Sequence, residues 1–125
     1  MAPTEQSIAD LFERWNTALA SQDPEQVVAC YAEDAILLPT LSNQPRFTRD
    51  EKLDYFRGFL AKQPLATIVT RRSHLGEAMA VDSGIYAFDL RASGDSVRAR
   101  YTFTYQWRDE DWLIVSHHSS GMPED

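Results

Sequence analysis

The second half of the chain constrains the fold most, because from Ala66 to Ser119 the sequence is typical of β-strands and shows no helical periodicity. β-Branched and aromatic side chains are concentrated there, as they are in strands. The turn signals Ser93-Gly94-Asp95 and Arg108-Asp109-Glu110 are short, so consecutive strands are expected to pair as antiparallel hairpins. We therefore predict a meander with strands at about residues 66–75, 78–90, 96–107 and 112–119.

The first half of the chain supplies helices that can cover such a sheet. Apolar residues between Ile8 and Leu19 recur every three or four positions, the spacing of one buried helical stripe, and Thr4 can cap the start. Asp23 and Gln26 form a capping-box pattern at the start of a second, shorter helix. Helices first and a meander afterwards predict an α+β fold.

A short strand and a third helix lie between these segments. The apolar run 35–38 predicts a buried strand that Pro39 ends. Thr48 and Glu51 form another capping box, and the helix that follows is predicted to bury Leu53, Phe56, Phe59 and Leu60. Residues 1–125 are thus expected to form one domain, in which the N-terminal helices pack on one face of a curved antiparallel sheet.

Composition argues against several classes of function. The net charge of −7 disfavours nucleic-acid binding, which depends on Lys and Arg. Cys30 is the only cysteine, so neither an internal disulfide nor a cysteine zinc site is expected. No apolar run approaches the roughly 18 residues of a membrane span, and the first residues do not form a signal peptide. The chain is therefore expected to be cytoplasmic, or periplasmic if an export signal has been removed.

The last strand is unusual because it ends in the polar run His117-His118-Ser119-Ser120. Side chains alternate between the two faces of a strand, so the two histidines cannot enter one pocket unless a bulge intervenes. Strict alternation places His117 and Ser119 on the face of Leu113 and Val115. It places His118 and Ser120 on the opposite face.

Three kinds of chemistry can be considered for this cluster. A metal site needs about three protein ligands, and His74 could join from a neighbouring strand, but the adjacent histidines diverge and no H-E-x-x-H spacing appears. Nucleophilic catalysis needs a nucleophile elbow, which the sequence lacks. A small polar cluster in an aromatic pocket remains, to which Thr40 and Tyr55 could add hydroxyls. The structural alternative is that Thr40 forms a turn and Tyr55 lies at the edge of its helix.

Arg100 is a separate candidate in the third strand of the meander. It lies on a polar face, opposite the aromatic face of Tyr101, Phe103 and Tyr105. We interpret the polar face as a solvated or dimer-facing sheet surface, and an anion pocket is the alternative.

Several stretches together resemble one known family. The ending His117-His118-Ser119-Ser120-Gly121-Met122-Pro123-Glu124 is similar to that of proteins like the association domain of calcium/calmodulin-dependent protein kinase II. Its His-His-Ser-Ser run resembles the hallmark of one subgroup, the iota-class carbonic anhydrases, which the stretches 37–43, 54–56, 82–86 and 99–103 also resemble. The order of elements resembles the cone-shaped α+β fold of the nuclear transport factor 2-like, or SnoaL-like, superfamily.

This resemblance implies reversible hydration of carbon dioxide to bicarbonate. In members described as metal-free, a Thr, a Tyr, a Ser and a His surround the substrate, which here implies Thr40, Tyr55, His117 and Ser119, with His118 and Ser120 as the alternative pair. The hydroxyls would stabilise charge on the carbon dioxide oxygens, and the histidine would accept or relay the proton. No cofactor is expected on this basis, although other members have been linked to a metal. The expected partners are carbon dioxide or bicarbonate and further copies of the chain in a homodimer or larger homo-oligomer, with no nucleic acid and no membrane.

Two other functions stay open at this point. The kinase association domain shares the fold and builds rings, so a non-enzymatic ligand-binding or oligomerisation domain is the main alternative. A different small-molecule enzyme, such as an isomerase or a cyclase, would need a carboxylate base in the pocket. Asp54 and Asp89 are the candidates for that base.

Overall fold

The computed structural model describes residues 2–40 and 42–123, so Leu41 of the stretch 37–43 and Glu124 of the C-terminal ending lie outside the described residues. The elements are, in chain order, α1 (Glu5–Ala20), α2 (Pro24–Val28), β1 (Tyr31–Leu38), α3 (Arg49–Leu60), β2 (Pro64–Leu75), β3 (Met79–Leu90), β4 (Asp95–Arg108) and β5 (Asp111–Gly121). Within these described ranges, no helix is long and apolar enough to cross a membrane.

The five strands form one sheet in the order β1-β5-β4-β3-β2. The strands from β2 to β5 pair as the predicted antiparallel meander, and the predicted α+β class is confirmed. One part of the prediction needs correction, because β1 pairs with β5 in parallel. Turn signals predict pairing only between strands that are neighbours in sequence, whereas β1 reaches its partner through the long connection that contains α3.

The helix starts follow the predicted capping chemistry with one difference. The side chain of Thr48 accepts a hydrogen bond from the backbone N–H of Glu51, whose side chain accepts from Thr48 in return, as in a capping box. Asp23 caps α2 by accepting from the backbone N–H of Glu25 at 3.0 Å, and the predicted box with Gln26 is not how this helix begins. The five-residue helix therefore starts with a simple Asp cap followed by Pro24.

Helices α1 and α3 cover the inner face of the sheet with an aromatic core. Trp15 of α1 stacks on Tyr86 at 6.2 Å between ring centroids and meets Phe103 edge-on at 5.2 Å. The predicted buried residues of α3 are all buried. Arg100 lies on the outer face and is exposed, which agrees with the solvated interpretation of that surface. The inner face is therefore where a cavity can form.

Two β-bulges, each with one extra, unpaired residue in one strand, bend the sheet over this core. Val69 has no partner in the pairing of β2 with β3, since Ile68 pairs with Tyr86 and Thr70 with Ile85. At this bend β2 comes so close to β3 that a Cβ atom on Gly84 would lie 1.8 Å from the carbonyl oxygen of Thr70. Only glycine fits such an approach, which gives the sheet its curvature.

We predict that Gly84→Ala destabilises the protein by about 2 kcal/mol or more, because the new methyl group would force β2 away from β3. Gly58→Ala is the matched control: Gly58 lies in α3, and a Cβ there has no neighbour within 4 Å. Alanine at that helical position is expected to stabilise by about 0.5–1 kcal/mol. Urea unfolding of both variants measures the difference, and equal stabilities would contradict this account of the bend.

Candidate active site

The second extra residue, Val115, decides where the polar end of β5 points. Ser116 pairs with Thr104 and Ile114 with Tyr105, so Val115 is unpaired in the ladder. Inward side chains therefore shift by one position along the strand. The expectation that His117 continues the face of Val115 is wrong, because the bulge aligns His117 with Ile114 instead.

The bulge separates the two His-Ser pairs. His117 and Ser119 face the core and are 4% and 7% exposed. His118 is exposed on the outer face, and Ser120 on that face is half-buried. The pair at 117 and 119 is thus the one that can reach an internal site.

His117 is held on both ring nitrogens by tyrosine hydroxyls. Nδ1 lies 2.8 Å from the Tyr31 hydroxyl and Nε2 lies 3.1 Å from the Tyr86 hydroxyl, while the ring stacks on Phe103 at 4.0 Å. Burial disfavours the charged imidazolium, and nearby His118 adds a smaller effect of the same sign. Together they lower the pKa of His117 to about 3. The imidazole is therefore neutral at physiological pH.

These contacts belong to a longer chain of hydrogen bonds. The indole Nε1–H of Trp15 donates to the Tyr31 hydroxyl at 3.1 Å. On the other side, Tyr86 donates to the Ser119 hydroxyl at 2.7 Å, and Ser119 Oγ lies 2.5 Å from Thr40 Oγ1. Burial raises the pKa of Tyr31 and of Tyr86, so both phenols keep their protons.

Sequence analysis missed Trp15, Tyr31 and Tyr86 as parts of the site. The available signal was weak: Tyr86 alternates with the inward Phe88, and a buried tyrosine hydroxyl needs a hydrogen-bond partner. Tyr31 gave less warning still, because it lies ahead of the predicted strand. The sequence places Tyr86 only in a stretch of the family resemblance, and Trp15 only in the apolar stripe of the first helix.

The chain of hydrogen bonds ends at a small cavity between α3 and the inner face of the sheet. Thr40, Tyr55, His117 and Ser119 all line it, together with Trp15, Leu37, Pro39, Phe56, Phe59, Tyr86, Phe88, Leu90, Val97 and Ala99. The centre of a water-sized sphere can move through about 40 Å³ of this space. That is room for a few water molecules or for one very small ligand beside a water.

Tyr55 is a fourth hydroxyl-bearing side chain in the cavity wall, beside Thr40, Tyr86 and Ser119. Its ring stacks on Phe59 at 5.7 Å, and the Arg46 guanidinium carbon lies 5.6 Å from the ring centroid. Burial raises the pKa of Tyr55 to about 12, and the positive charge of Arg46 opposes this only in part. Tyr55 is therefore a neutral phenol with a proton to donate.

The carboxylate candidates lie away from the cavity. Asp54 is exposed and forms an ion pair with Arg46 at 2.9 Å, and Asp89 is exposed on β3. No Asp or Glu belongs to the described residues that line the cavity. An isomerase or cyclase mechanism with a carboxylate base therefore has no candidate base there.

The side chains do not form a set of metal ligands either. Within residues 2–40 and 42–123, no three His, Cys, Asp or Glu side chains lie close enough together to hold a metal ion. His74 is exposed in β2 at the far side of the sheet from β5. His117 faces tyrosine hydroxyls with both nitrogens, and His118 points to the outer face.

The sequence model for the calcium/calmodulin-dependent protein kinase II association domain matches residues 4–123. The chain belongs to this family. No curated protein matches it significantly.

Two solved structures share the fold of this chain. A protein from Xanthomonas campestris, described as a calcium/calmodulin-dependent protein kinase II association domain, is 45% identical; the match covers 98% of this chain and 91% of that chain, with a TM-score of 0.92. An NTF2-like protein of unknown function from Pseudomonas putida is 18% identical over 97% of this chain and 87% of its own, with a TM-score of 0.82.

One structural neighbour of this association-domain protein is a named enzyme. The iota-carbonic anhydrase from a cyanobacterium, complexed with bicarbonate, has a TM-score of 0.84 and is 18% identical over 99% of this chain and 95% of that chain. At this identity the likeness establishes a shared fold and does not by itself establish a shared activity.

We predict that neutral His117 makes stability depend on pH. Its pKa is about 6.5 when unfolded and about 3 when folded, so the unfolded chain binds the extra proton between these values. The stability from this site is complete above pH 6.5. It falls as pH decreases, by up to about 1.4 kcal/mol per pH unit.

Urea unfolding between pH 5 and 7 measures this slope, because most carboxylates stay ionised there. The slope of the wild type is expected to exceed that of His117→Gln. Parallel curves for the two proteins would show that His117 is not held neutral.

Proposed function

We propose that this domain is a carbonic anhydrase of the iota type, which reversibly hydrates carbon dioxide to bicarbonate without a metal. The observation that carries the proposal is the convergence of Thr40, Tyr55, His117 and Ser119 on one small cavity. They come from the loop after β1, from α3 and from β5, and are far apart in sequence. The shared fold with a carbonic anhydrase bound to bicarbonate adds support.

The size and lining of the cavity suit this substrate. Carbon dioxide is a neutral molecule of three heavy atoms. The cavity leaves about 40 Å³ for the centre of a water-sized sphere, so it can hold carbon dioxide beside a water. Most of the lining is aromatic or aliphatic, which favours an uncharged molecule. The Tyr55 hydroxyl and the Thr40–Ser119 pair offer donors to its oxygens.

In the proposed reaction the oxygen of water forms a bond to the carbon of carbon dioxide. One C=O π pair moves onto its oxygen, and the water loses a proton. The Tyr55 hydroxyl and the one proton that the Thr40–Ser119 pair leaves free stabilise the negative charge that develops on that oxygen. The proton passes to solvent or buffer at the mouth of the cavity, and bicarbonate leaves.

The role of His117 in this proposal differs from the proton acceptor that the resemblance suggests. Both of its nitrogens already have tyrosine partners, and its pKa of about 3 makes it a poor base. His117 instead holds Tyr86 and, through it, Ser119 in place. A slower reaction than that of a metal hydroxide enzyme is expected, because nothing here lowers the pKa of the attacking water.

The alternative function is a non-enzymatic ligand-binding or assembly domain. The family is that of an association domain, and the outer face exposes the large apolar side chains of Ile36 and Met79. We propose that this face joins copies of the chain into a homodimer or larger homo-oligomer. Such an assembly is compatible with catalysis, because the cavity lies on the inner face.

Stopped-flow hydration of carbon dioxide tests the enzyme. The wild type is expected to accelerate hydration equally with and without a chelator. Ser119→Ala is expected to lower kcat/KM by about tenfold to a hundredfold, because Thr40 loses the hydroxyl that positions it and links it to Tyr86. Ser120→Ala, one residue further along β5 and on the outer face, is the matched control and is expected to change kcat/KM less than twofold.

Each other outcome has a definite meaning. A hydration rate no higher than that of buffer would refute the proposed carbonic anhydrase activity and leave the non-enzymatic alternative. Loss of activity with the chelator, restored by added metal, would refute the metal-free mechanism. Equal effects of the two serine variants would show that the cavity is not the site of reaction.

A further inference from the structure

The hydrogen-bond chain between Trp15 and Thr40 has a fixed direction at both ends. An indole nitrogen can only donate, so the Tyr31 oxygen must accept from Trp15. At the other end, the geometry has Tyr86 donating its single hydroxyl proton to Ser119 at 2.7 Å. The orientation of the histidine between these ends follows from them.

The Tyr86 end requires a proton on Nε2 of His117. The two atoms lie 3.1 Å apart, and the phenol proton is already donated to Ser119, so the hydrogen between them belongs to Nε2. A neutral imidazole has one N–H, which leaves Nδ1 as an acceptor. Tyr31, 2.8 Å from Nδ1, can donate there because its oxygen accepts from Trp15.

The opposite tautomer satisfies fewer groups. With the proton on Nδ1, the Tyr31 oxygen would accept from both Trp15 and His117, and its own proton would have no acceptor among the described residues. Nε2 would then need the Tyr86 proton, and the bond from Tyr86 to Ser119 would be lost. A buried donor without an acceptor is costly, so the two ends of the chain select the same tautomer.

We propose that Trp15 and Tyr31 are positioning residues that hold His117 in the Nε2–H tautomer and so make the cavity end of the chain a hydrogen-bond donor. Ser119 and Thr40 carry two hydroxyl protons between them, and their mutual contact uses one. The other proton is available to a ligand in the cavity. The ligand class is therefore a small molecule with an acceptor oxygen, an oxyanion above all.

The Trp15 end of the chain of hydrogen bonds also limits proton transfer along it. The indole of Trp15 has no lone pair available to accept one, so a proton cannot leave the cavity in that direction. The chain thus polarises hydroxyls, and it does not conduct protons to solvent behind α1. The role of these residues in turnover rests on the proposed function, whereas the tautomer does not.

Long-range ¹H–¹⁵N correlation spectra of the full chain, labelled with ¹⁵N-histidine, test the tautomer directly. The wild type is expected to show a protonated Nε2 and an unprotonated, hydrogen-bonded Nδ1 for His117 between pH 5 and 8. A protonated Nδ1, a mixture of tautomers or an imidazolium would overturn the proposal.

Two variants test the positioning residues. In Tyr31→Phe the Nδ1 resonance is expected to move towards that of a free ring nitrogen, and the fraction with Nδ1–H is expected to rise. Tyr101→Phe is the control, because the Tyr101 hydroxyl donates to Asp82, which does not belong to the chain of hydrogen bonds. In this variant the Nδ1 resonance and the fraction with Nδ1–H are expected to stay as in the wild type. An unchanged spectrum in Tyr31→Phe would overturn the role of Tyr31. Trp15→Phe removes the first donor, and the fraction with Nδ1–H is expected to rise there too. An unchanged spectrum in Trp15→Phe would overturn the role of Trp15.

Activity separates this inference from the proposed function. In an active enzyme, Tyr31→Phe is expected to lower kcat/KM about three- to tenfold, the value of one hydrogen bond. A fixed tautomer in a protein without hydration activity would refute the carbonic anhydrase and leave the inference standing. A wild type that hydrates carbon dioxide but carries the proton on Nδ1 would refute the inference and leave the carbonic anhydrase standing.

Discussion

The candidate site depends on one unpaired residue in β5. Because Val115 has no partner in β4, the inward face passes from Ile114 to His117 rather than to Ser116. Without this shift, the strand that buries Trp112 and Ile114 would direct His117 and Ser119 to the outer surface. The bulge thus lets one strand bury apolar residues in its first half and deliver polar residues to the same interior in its second half.

The architecture could be predicted because its signals are local. The capping box at Thr48, the apolar stripe of α1 and the short turns of the meander each specify an element within a few residues of sequence. The parallel pairing of β1 and the bulge at Val115 could not be predicted in this way. Both depend on contacts between segments distant in the chain, and a valine in a bulge has no distinctive composition.

The same limit applies to the candidate site. The polar end of the last strand indicates His117 and Ser119, and the resemblance assigns roles to these two and to Thr40 and Tyr55. Tyr31, Tyr86 and Trp15 become visible only through their hydrogen bonds. Lys52 is a further example, since its position in α3 gave no hint of full burial. Its ammonium group donates at 3.0 Å to the carbonyls of Glu33 and Phe47, the first of which lies where β1 pairs irregularly with β5. Lys52 therefore satisfies a carbonyl in an irregular part of the sheet edge, close to the segment that ends in Thr40.

The site combines donor groups with the absence of charge on any of them. Burial raises the pKa of Tyr31, Tyr55 and Tyr86 and lowers that of His117, so each keeps its neutral form near pH 7. A neutral cavity admits an uncharged molecule without displacing the strongly bound water that a charged side chain would hold. In the proposed reaction, hydroxyl donors in the cavity wall interact more strongly with an oxygen of that molecule once it becomes negative. A fixed positive charge would stabilise the anion further, but it would also hold the product. A reaction that turns a neutral substrate into an anion that must leave is therefore well matched to donors that carry no charge.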